Sequence, residues 1–451
     1  MPIIVDTDIF TDADDVGALG SAFALQRDGE AKVIAVTVNT PTYRAAVAPD
    51  QVRCVAAIDS FYGSPTVPIG TETSAGGTDA GSSYVGACAQ LDPGSLPATA
   101  DAVSVDSQAL AAQPDGSVVM VSIGYLGNLA ALISSSAGRQ LVQRKVRELV
   151  VMGGGYPGPA SENNLMGDPA AAQTVATNWP TKILWTGYEV GSRIFTGWTI
   201  SATHPSNSPL RVAYEHFADP GQAIRSWDLA AVYDAVRPAT ASLTEVGPGV
   251  NAIATTGSDV FGGGAGRQYY LALADQAGLQ CSIEALLDTL PGPPATAQIG
   301  GTVVDASIGN RAIAGALVRA YDSAGNPVAS AQTGANGAYA LTGLPSGCYR
   351  IGFSVSRYIP QYFSGTPTLA GAAAVSVSAG SPVTGVNAAL GRIPLSTTSL
   401  RGIPIGHPVR QPPSHRRGSV RPSAPRSSGA IRARLVRLLV GYSRGRPSQR
   451  S

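Results

Sequence analysis

Residues 1–19 read MPIIVDTDIFTDADDVGAL, and an apolar run at residues 3–5 leads directly into five aspartates within ten residues, Asp6, Asp8, Asp12, Asp14 and Asp15. The apolar run predicts a buried strand, and the segment after Asp14 predicts a helix that begins with two carboxylates. Aspartate is common at strand ends and helix N-termini, where it accepts backbone N–H bonds. Five crowded carboxylates repel one another, however, unless a cation or shared protons neutralise them. The stretch therefore predicts a site for a hard divalent ion with oxygen ligands, most plausibly calcium.

The alternation of apolar runs and helix-like segments continues to about residue 290. Further strand-like runs are KVIAVTVN (32–39), SVVMVSIG (117–124), ELVVMGGG (148–155) and KILWTG (182–187), with helix-like segments between them. Continuous apolar runs separated by helices are typical of a parallel sheet that is buried on both faces. We therefore predict an α/β domain, a doubly wound and mostly parallel sheet, over residues 1–292.

The composition changes after this region. Residues 293–298 form a Pro/Ala-rich linker, and residues 299–390 contain short alternating runs with turn signals such as Ala-Asn-Gly and Pro-Ser-Gly. That pattern predicts a C-terminal antiparallel β-sandwich. Residues 391–451 are rich in Arg, Pro and Ser, a composition that cannot bury a core, so we predict a disordered basic tail.

Charge and cysteine content exclude several classes of protein. The formal net charge is +1, but thirteen arginines and no acidic residue fall in 391–451, so residues 1–390 carry −12. The body of the chain is acidic, and we expect no nucleic-acid partner. The four cysteines lack the spacing of a zinc site, while a Cys54–Cys88 disulfide stays open. No apolar run is long enough to span a membrane.

The pattern DTDxxxDxDD at residues 6–15 resembles the longer signature of the inosine/uridine-preferring nucleoside hydrolases. Four later segments resemble that family in the same order along the chain. They are AVTVNT with Asn39, IGYLGN (123–128), the ExN-type stretch with Glu162 and Asn164, and SWDLAAVYDAVRP with Asp228. The resemblance covers about residues 3–290.

The resemblance implies a calcium-dependent hydrolase that cleaves the N-glycosidic bond of ribonucleosides to free base and ribose. By this resemblance Asp8, Asp15, Asp228 and one backbone carbonyl bind Ca²⁺, and the carbonyl is assigned to Leu126, with Gly127 as the fallback. Asp8 acts as the catalytic base that activates a metal-bound water.

The resemblance also implies a ribose-binding set, Asp14, Asn39, Glu162 and Asn164. Asp14 is preferred over Asp12 for this role because it keeps the pair Asp14-Asp15 in register with the family's adjacent aspartates.

Two positions depart from the family pattern. Phe10 stands where relatives usually have glycine, and Trp227 stands where many relatives have a histidine that protonates the leaving base. A tryptophan can stack on a base but cannot usefully donate a proton to it, so Trp227 is assigned to substrate binding. His204 and His216 are the candidates to replace the missing acid. The departure keeps open a second hypothesis, a catalytically weak or inactive metal- or ligand-binding surface protein on the same fold.

The segment from residue 299 onward resembles the carboxypeptidase regulatory-like or prealbumin-like sandwich family, which is often found on secreted bacterial proteins. This resemblance favours an extracellular or cell-surface location. The N-terminus shows no signal peptide, which would fit a cytoplasmic protein if the start is genuine. The sequence leaves base specificity and oligomeric state, including a homo-oligomer, open.

Overall fold

A computed structural model describes residues 1–10, 12–40, 49–64, 66–72, 83–92, 94, 100–238, 240–293 and 296–394. The predicted tail from residue 395 onward lies outside the described residues. Residues 1–394 form one structural unit. In the part of the chain that is described, no helix is long and apolar enough to cross a membrane.

The N-terminal region is built on a ten-stranded sheet in the order β11-β10-β12-β7-β6-β5-β1-β2-β3-β4. Its strands are β1 Pro2–Thr7, β2 Lys32–Val38, β3 Ile69–Thr71, β4 Ala100–Asp101, β5 Val118–Ser122, β6 Val146–Met152, β7 Lys182–Thr186, β10 Leu243–Ile253, β11 Asp259–Gly263 and β12 Gln268–Leu273, and a separate ribbon pairs β8 Phe195–Thr196 with β9 Ile224–Arg225. Pairing is parallel from β12 through β4, while β10 runs antiparallel to both β11 and β12. The prediction of a mostly parallel doubly wound sheet is confirmed.

Helices cover both faces of this sheet. They are α1 Asp14–Arg27, α2 Pro49–Phe61, α3 Ser83–Ala89, α4 Ala102–Ala111, α5 Gly127–Ser134, α6 Ser136–Lys145, α7 Asn163–Gly167, α8 Pro169–Asn178, α9 Tyr188–Gly191, α10 Ile200–Thr203, α11 Pro209–Phe217, α12 Trp227–Val236 and α13 Gln276–Leu287. The apolar run in β1 is continuous because its side chains enter two hydrophobic cores, one on each face of the sheet. Ile3 and Val5 point into one hydrophobic core, whereas Ile4 points into the core on the opposite face.

The C-terminal region consists of two packed sheets around a third core. Its strands are β13 Ala297–Asp305, β14 Arg311–Ala312, β15 Leu317–Tyr321, β16 Pro327–Gln332, β17 Ala338–Leu344, β18 Gly347–Ser354, β19 Gln361–Tyr362, β20 Ala374–Val377 and β21 Ala388–Leu390. The predicted sandwich is present, with one parallel pair, β13 and β21, among antiparallel ones. Strand β13 begins at Ala297, inside the segment that we predicted as a linker.

The two regions are joined covalently and by hydrogen bonds. Cys281 on α13 forms a disulfide with Cys348 on β18, a pairing that was not predicted from the sequence. The hydroxyls of Thr289 and Ser346 lie 2.9 Å apart across the same contact. A second disulfide, Cys54–Cys88, joins α2 to α3 and settles the pairing that the sequence left open.

Candidate active site

The carboxyl ends of the parallel strands surround a cavity of about 150 Å³. It is lined by Asp8, Asp12, Asp14, Asp15, Ile123, Met152, Ser161, Glu162, Asn163, Asn164, Tyr188, Trp227 and Asp228. Asp8 lies just after β1, Ile123 just after β5, and Met152 ends β6. Ligands of doubly wound sheets bind at this edge, so the cavity is the candidate site.

Four carboxylates converge on one point of this cavity. One oxygen each from Asp12, Asp14, Asp15 and Asp228 lies within 4.8 Å of the others. Asp14, Asp15 and Asp228 are nearly inaccessible to solvent, and Asp12 is half-buried. Asp228 is more than two hundred residues away in sequence, so the fold itself brings it to the N-terminal cluster.

Burial and crowding raise the pKa values of these carboxyls. The pKa of Asp15 rises to about 8, first because the group is buried and then because of the charge of Asp12. Burial raises the pKa of Asp228 well above its ordinary value, and the charges of Asp14 and Asp15 add to the effect. The pKa of Asp8 is raised in the same way, by burial and then by Asp15. The cluster is therefore short of positive charge, and a hard cation with oxygen ligands would fit it.

Asp14 connects the two segments that supply the cluster. One of its oxygens, Oδ2, accepts the backbone N–H groups of Trp227 (2.8 Å) and Asp228 (3.1 Å). These N–H groups belong to the first turn of α12, where the preceding Ser226 offers no side-chain cap. Asp14 thus caps α12 from outside and holds Asp228 beside the N-terminus of α1.

Asp15 is held by the turn that follows β1. It accepts a hydrogen bond from the Thr7 hydroxyl and another from the Ile9 backbone N–H at 3.2 Å. Ile9 has a positive φ of 20°, which is rare for a β-branched residue. The turn is therefore strained, in agreement with the tendency of functional sites to store backbone strain.

Asp8 is placed by close backbone packing. A Cβ atom at Gly124 would lie 2.6 Å from the Asp8 backbone nitrogen, so only glycine allows the turn after β5 to approach so closely. Gln51 donates a hydrogen bond to the Asp8 carbonyl at 2.7 Å. The Asp8 side chain remains among the groups that line the cavity.

Asp6 has a different role from its neighbours. Its carboxylate lies outside the lining and accepts hydrogen bonds from Thr37 (2.7 Å), Asn39 (2.9 Å) and Asn128 (2.8 Å). These donors come from β2, from the turn after it and from α5, so Asp6 joins β1 to three other segments of the chain. Burial raises its pKa to about 6.

Two of the predicted site residues do not line the cavity. Asn39 donates to Asp6 and accepts the Tyr125 backbone N–H at 3.0 Å, so both ends of its amide have partners. Leu126 is buried, and its carbonyl accepts the Ala130 N–H at 2.9 Å as the first hydrogen bond of α5. Within the turn 123–128, Ile123 is the residue that borders the cavity. The assignments to Asn39 and Leu126 stay predictions.

Glu162 and Asn164 border the same cavity. Glu162 is the N-cap of α7 and accepts backbone N–H groups from Gly154 (3.1 Å), Asn164 (2.9 Å) and Leu165 (3.3 Å). Burial nevertheless raises its pKa to about 7. The Asn164 side-chain amide donates to the Met152 carbonyl at 3.1 Å, which leaves its oxygen for another partner.

An aromatic pair borders the cavity beside the acids. The rings of Tyr188 and Trp227 lie 5.6 Å apart, and the Trp227 indole N–H donates to the Tyr188 carbonyl at 3.0 Å. Neither His204 nor His216 borders the cavity. His204 is buried, with its ring nitrogens bonded to Ser208 and to the Leu287 carbonyl, and His216 bonds the Val212 carbonyl on α11.

Several lining residues were not predicted from the sequence, namely Ile123, Met152, Ser161, Asn163 and Tyr188, and Asp12 was considered only as an alternative to Asp14. A strand-end position was the available signal for Ile123 and Met152. Tyr188 follows β7, so its place at a strand end was also readable, but nothing in the sequence pairs it with Trp227.

Comparisons with known proteins agree with this architecture. The family profile described as inosine-uridine preferring nucleoside hydrolase matches residues 3–275, and the profile of the carboxypeptidase regulatory-like domain matches residues 298–391. A comparison with curated proteins gives no significant match.

Solved structures share the fold of the first region. The chain is similar to a plant nucleoside hydrolase (20% identity, TM-score 0.50), a purine-preferring ribonucleoside hydrolase from Gardnerella vaginalis (17%, 0.51) and an inosine-guanosine nucleoside hydrolase (18%, 0.50). Each comparison covers 64% of this chain and 98% of the other. Since the hydrolase profile matches more than half of the sequence, the chain belongs to the inosine-uridine preferring nucleoside hydrolase family and is an N-ribosyl hydrolase followed by a carboxypeptidase regulatory-like domain.

Proposed function

We propose that the protein hydrolyses the N-glycosidic bond of ribonucleosides to free base and ribose, that it depends on Ca²⁺, and that Asp8 is the catalytic base. One observation carries this proposal. Asp8, the four-carboxylate cluster and the pair Glu162–Asn164 all border a single cavity at the carboxyl ends of the strands.

The donor set supports calcium as the cation. Carboxylate and carbonyl oxygens are the ligands that Ca²⁺ prefers, and the cluster supplies only oxygen. Asp15 and Asp228, with Asp8, are the proposed carboxylate ligands. For the backbone carbonyl, Ile123 now competes with Leu126, because Ile123 borders the cavity and Leu126 does not. A bound Ca²⁺ would neutralise the crowded charges and lower the pKa of a water molecule in the cavity.

Asp8 is suited to remove a proton from the attacking water. It lines the cavity at the edge of the acidic cluster, and only 5% of its surface is exposed to solvent. As the bond between base and ribose lengthens, the sugar acquires positive charge. The carboxylates of Asp8, Asp14 and Glu162 surround that charge in a buried site, where electrostatic stabilisation is strong.

The ribose is proposed to lie between the acidic cluster and α7. Glu162 and Asn164 would hold its hydroxyl groups from one side, and Asp14 from the other. Both Asp14 and Glu162 already accept backbone N–H bonds, so their positions are set before substrate binds. Preorganised groups of this kind orient a sugar for attack at little entropic cost.

The leaving base is proposed to stack on Trp227. Tyr188 lies beside that ring and has about half of its surface exposed, so an aromatic face is available next to the ribose site. Stacking recognises any aromatic base and therefore does not select between purines and pyrimidines by hydrogen bonds.

The decisive test uses the full-length protein, because α13 is covalently linked to the sandwich. We expect it to release reducing sugar from at least one of inosine, uridine, adenosine, guanosine and cytidine, and to lose this activity in the presence of a chelator. Asp8→Asn should lose turnover, while Asp59→Asn, a buried carboxyl on α2 away from the cavity, should keep it.

Two results would contradict the proposal or replace it. If the wild-type protein with calcium releases no sugar from any of these nucleosides, the hydrolase proposal is wrong. Calcium-dependent thermal stabilisation that survives in Asp8→Asn, without turnover in the wild type, would then favour the second hypothesis of a ligand-binding protein on this fold.

A further inference from the structure

The loop that leads from β6 to Glu162 is held by an unusual set of acceptors. Three consecutive backbone N–H groups each donate to a different carboxylate. The Gly154 N–H donates to Glu162 (3.1 Å), the Gly155 N–H to Asp259 (3.3 Å) and the Tyr156 N–H to Glu189 (2.9 Å). The three carboxylates come from the N-cap of α7, from β11 and from α9, so the loop is fixed by three separate segments.

Asp259 holds this loop at two points. Its side chain accepts the Gly155 N–H, while its backbone exchanges two hydrogen bonds with Ala160, at 3.2 and 3.0 Å. Ala160 is only two residues before Glu162. Asp259 therefore joins both arms of residues 155–160 although it lies more than ninety residues further along the chain.

The space around Asp259 leaves it little freedom. The residue is completely buried, and a Cβ atom at Gly154 would lie 2.5 Å from its Oδ2 and 2.6 Å from the Tyr156 hydroxyl. Gly154 also has a positive φ of 76°, which favours glycine. The Tyr156 hydroxyl is itself held, since it accepts the Asn251 side-chain N–H at 2.9 Å. The carboxylate is therefore held by the Gly155 N–H at Oδ1 and by close packing around Oδ2.

The same loop carries the aromatic side of the cavity. The Gly154 carbonyl accepts the Tyr188 N–H at 2.8 Å, and the Tyr188 carbonyl accepts the indole N–H of Trp227 at 3.0 Å. A shift of residues 154–156 would consequently move Glu162 on one side and Tyr188 on the other.

Asp259 does not border the cavity, so it can act only through the loop. We infer that Asp259 is a positioning residue for the hydrolase site, which fixes residues 154–160 and thereby sets the Glu162 carboxylate for ribose and the Tyr188–Trp227 pair for the base. The inference rests on the proposed function, because it takes Glu162 to be a ribose ligand.

Substitution of Asp259 in the full-length, calcium-loaded protein tests the positioning role. Asp259→Ala removes the acceptor for Gly155, and we expect a rise in KM for nucleoside and weaker D-ribose binding by calorimetry. The fall in kcat/KM should be about 10- to 100-fold, the effect of displacing a positioned group by a fraction of an ångström to an ångström. Asp259→Asn keeps an oxygen acceptor and should restore KM and ribose affinity to within about threefold of the wild type.

Two further variants separate positioning from general stability. Asp59→Ala removes a similarly buried carboxyl on α2 that does not border the cavity, so it should leave KM and ribose affinity unchanged, whatever its effect on the melting temperature. Glu189→Ala removes the acceptor for Tyr156 from a partly exposed side chain. Glu189→Ala is the variant to measure if Asp259→Ala does not fold, and, like Asp259→Ala, it should weaken ribose binding.

The outcomes distinguish this inference from the proposed function. If the wild type cleaves nucleosides and Asp259→Ala, or Glu189→Ala in its place, matches Asp59→Ala in KM and ribose affinity, the positioning role is refuted and the hydrolase proposal stands. If the wild type binds D-ribose but cleaves no nucleoside, the hydrolase proposal fails, and ribose affinity alone decides the positioning role. A wild type that neither cleaves nucleosides nor binds ribose refutes both.

Discussion

The acidic cluster predicts that Asp15→Asn stabilises the protein when divalent cations are removed. Asp15 is 1% exposed, and burial together with the charge of Asp12 raises its pKa from 3.8 to about 8. The folded protein therefore binds a proton at Asp15 over a pH range in which the unfolded chain does not. Under those conditions the free energy of unfolding decreases as pH rises from about 4 to about 8, and it levels off above the folded pKa.

The size of the effect follows from the shift. Each pKa unit corresponds to about 1.4 kcal/mol, so a rise of roughly four units sets an upper limit on the order of 5 kcal/mol. Neighbouring carboxyls share the protons, so the change for one residue is smaller than this limit. Asparagine keeps an oxygen to accept the Thr7 and Ile9 hydrogen bonds and carries no charge. We expect a gain of at least about 1 kcal/mol at pH 8 in chelator, or a few degrees in melting temperature.

The assay is thermal unfolding followed by circular dichroism, with wild type and Asp15→Asn compared in chelator from pH 5 to pH 9 and again with calcium. Calcium should reverse the order, because the wild type binds the cation more tightly and is stabilised by mass action. Wild-type stability that rises with pH in chelator, or an Asp15→Asn variant that is less stable than wild type at pH 8 without cation, would show that the cluster is not electrostatically frustrated.

Three other predictions concern the base, the leaving group and the domain contact. Asp8→Asn should lower kcat by about 10²- to 10⁴-fold, the contribution expected of a general base. Because asparagine keeps an oxygen ligand but loses the charge, calcium should still stabilise this variant in thermal scans, though less than it stabilises the wild type. Trp227→Ala should raise KM for nucleosides by about 5- to 100-fold, since a stacked base is worth about 1–3 kcal/mol, and leave D-ribose affinity unchanged in calorimetry. Cys281→Ser opens a disulfide between cysteines 67 residues apart. Chain entropy then predicts a loss of about 4 kcal/mol, measurable as a lower denaturation midpoint.

Most of the fold was predictable from the sequence because the patterns that indicate strands and helices are local. Apolar runs such as residues 3–5 are continuous because alternate side chains enter two different cores, and the helices between the runs required parallel strands. The hairpin of β10 and β11 was not anticipated. It lies at the edge of the sheet, where both strands are partly exposed and the 11 residues of β10 include Gly247, Pro248 and Gly249, so the strand pattern is weaker.

The residues of the candidate site were predicted from the sequence where they belong to a recognisable motif. Asp8, Asp15 and Asp228 were identified from sequence, and in the structure all three border one cavity with Glu162. A local motif does not show which residues of a turn border the cavity. Leu126 lies in a recognisable turn, yet its carbonyl begins α5, and Ile123 three residues earlier borders the cavity instead.

The sequence by itself determined the class of fold, the order of the two regions and the acidic character of the site, because apolar periodicity, turn residues and crowded aspartates are properties of neighbouring positions. Only the tertiary structure decided the partners of each polar group. Asp14 as the cap of α12, Asp259 as the acceptor for the 154–160 loop and Cys281 as the partner of Cys348 all join residues at least 67 positions apart. Such pairings depend on where whole strands and helices pack, and no local pattern encodes that distance.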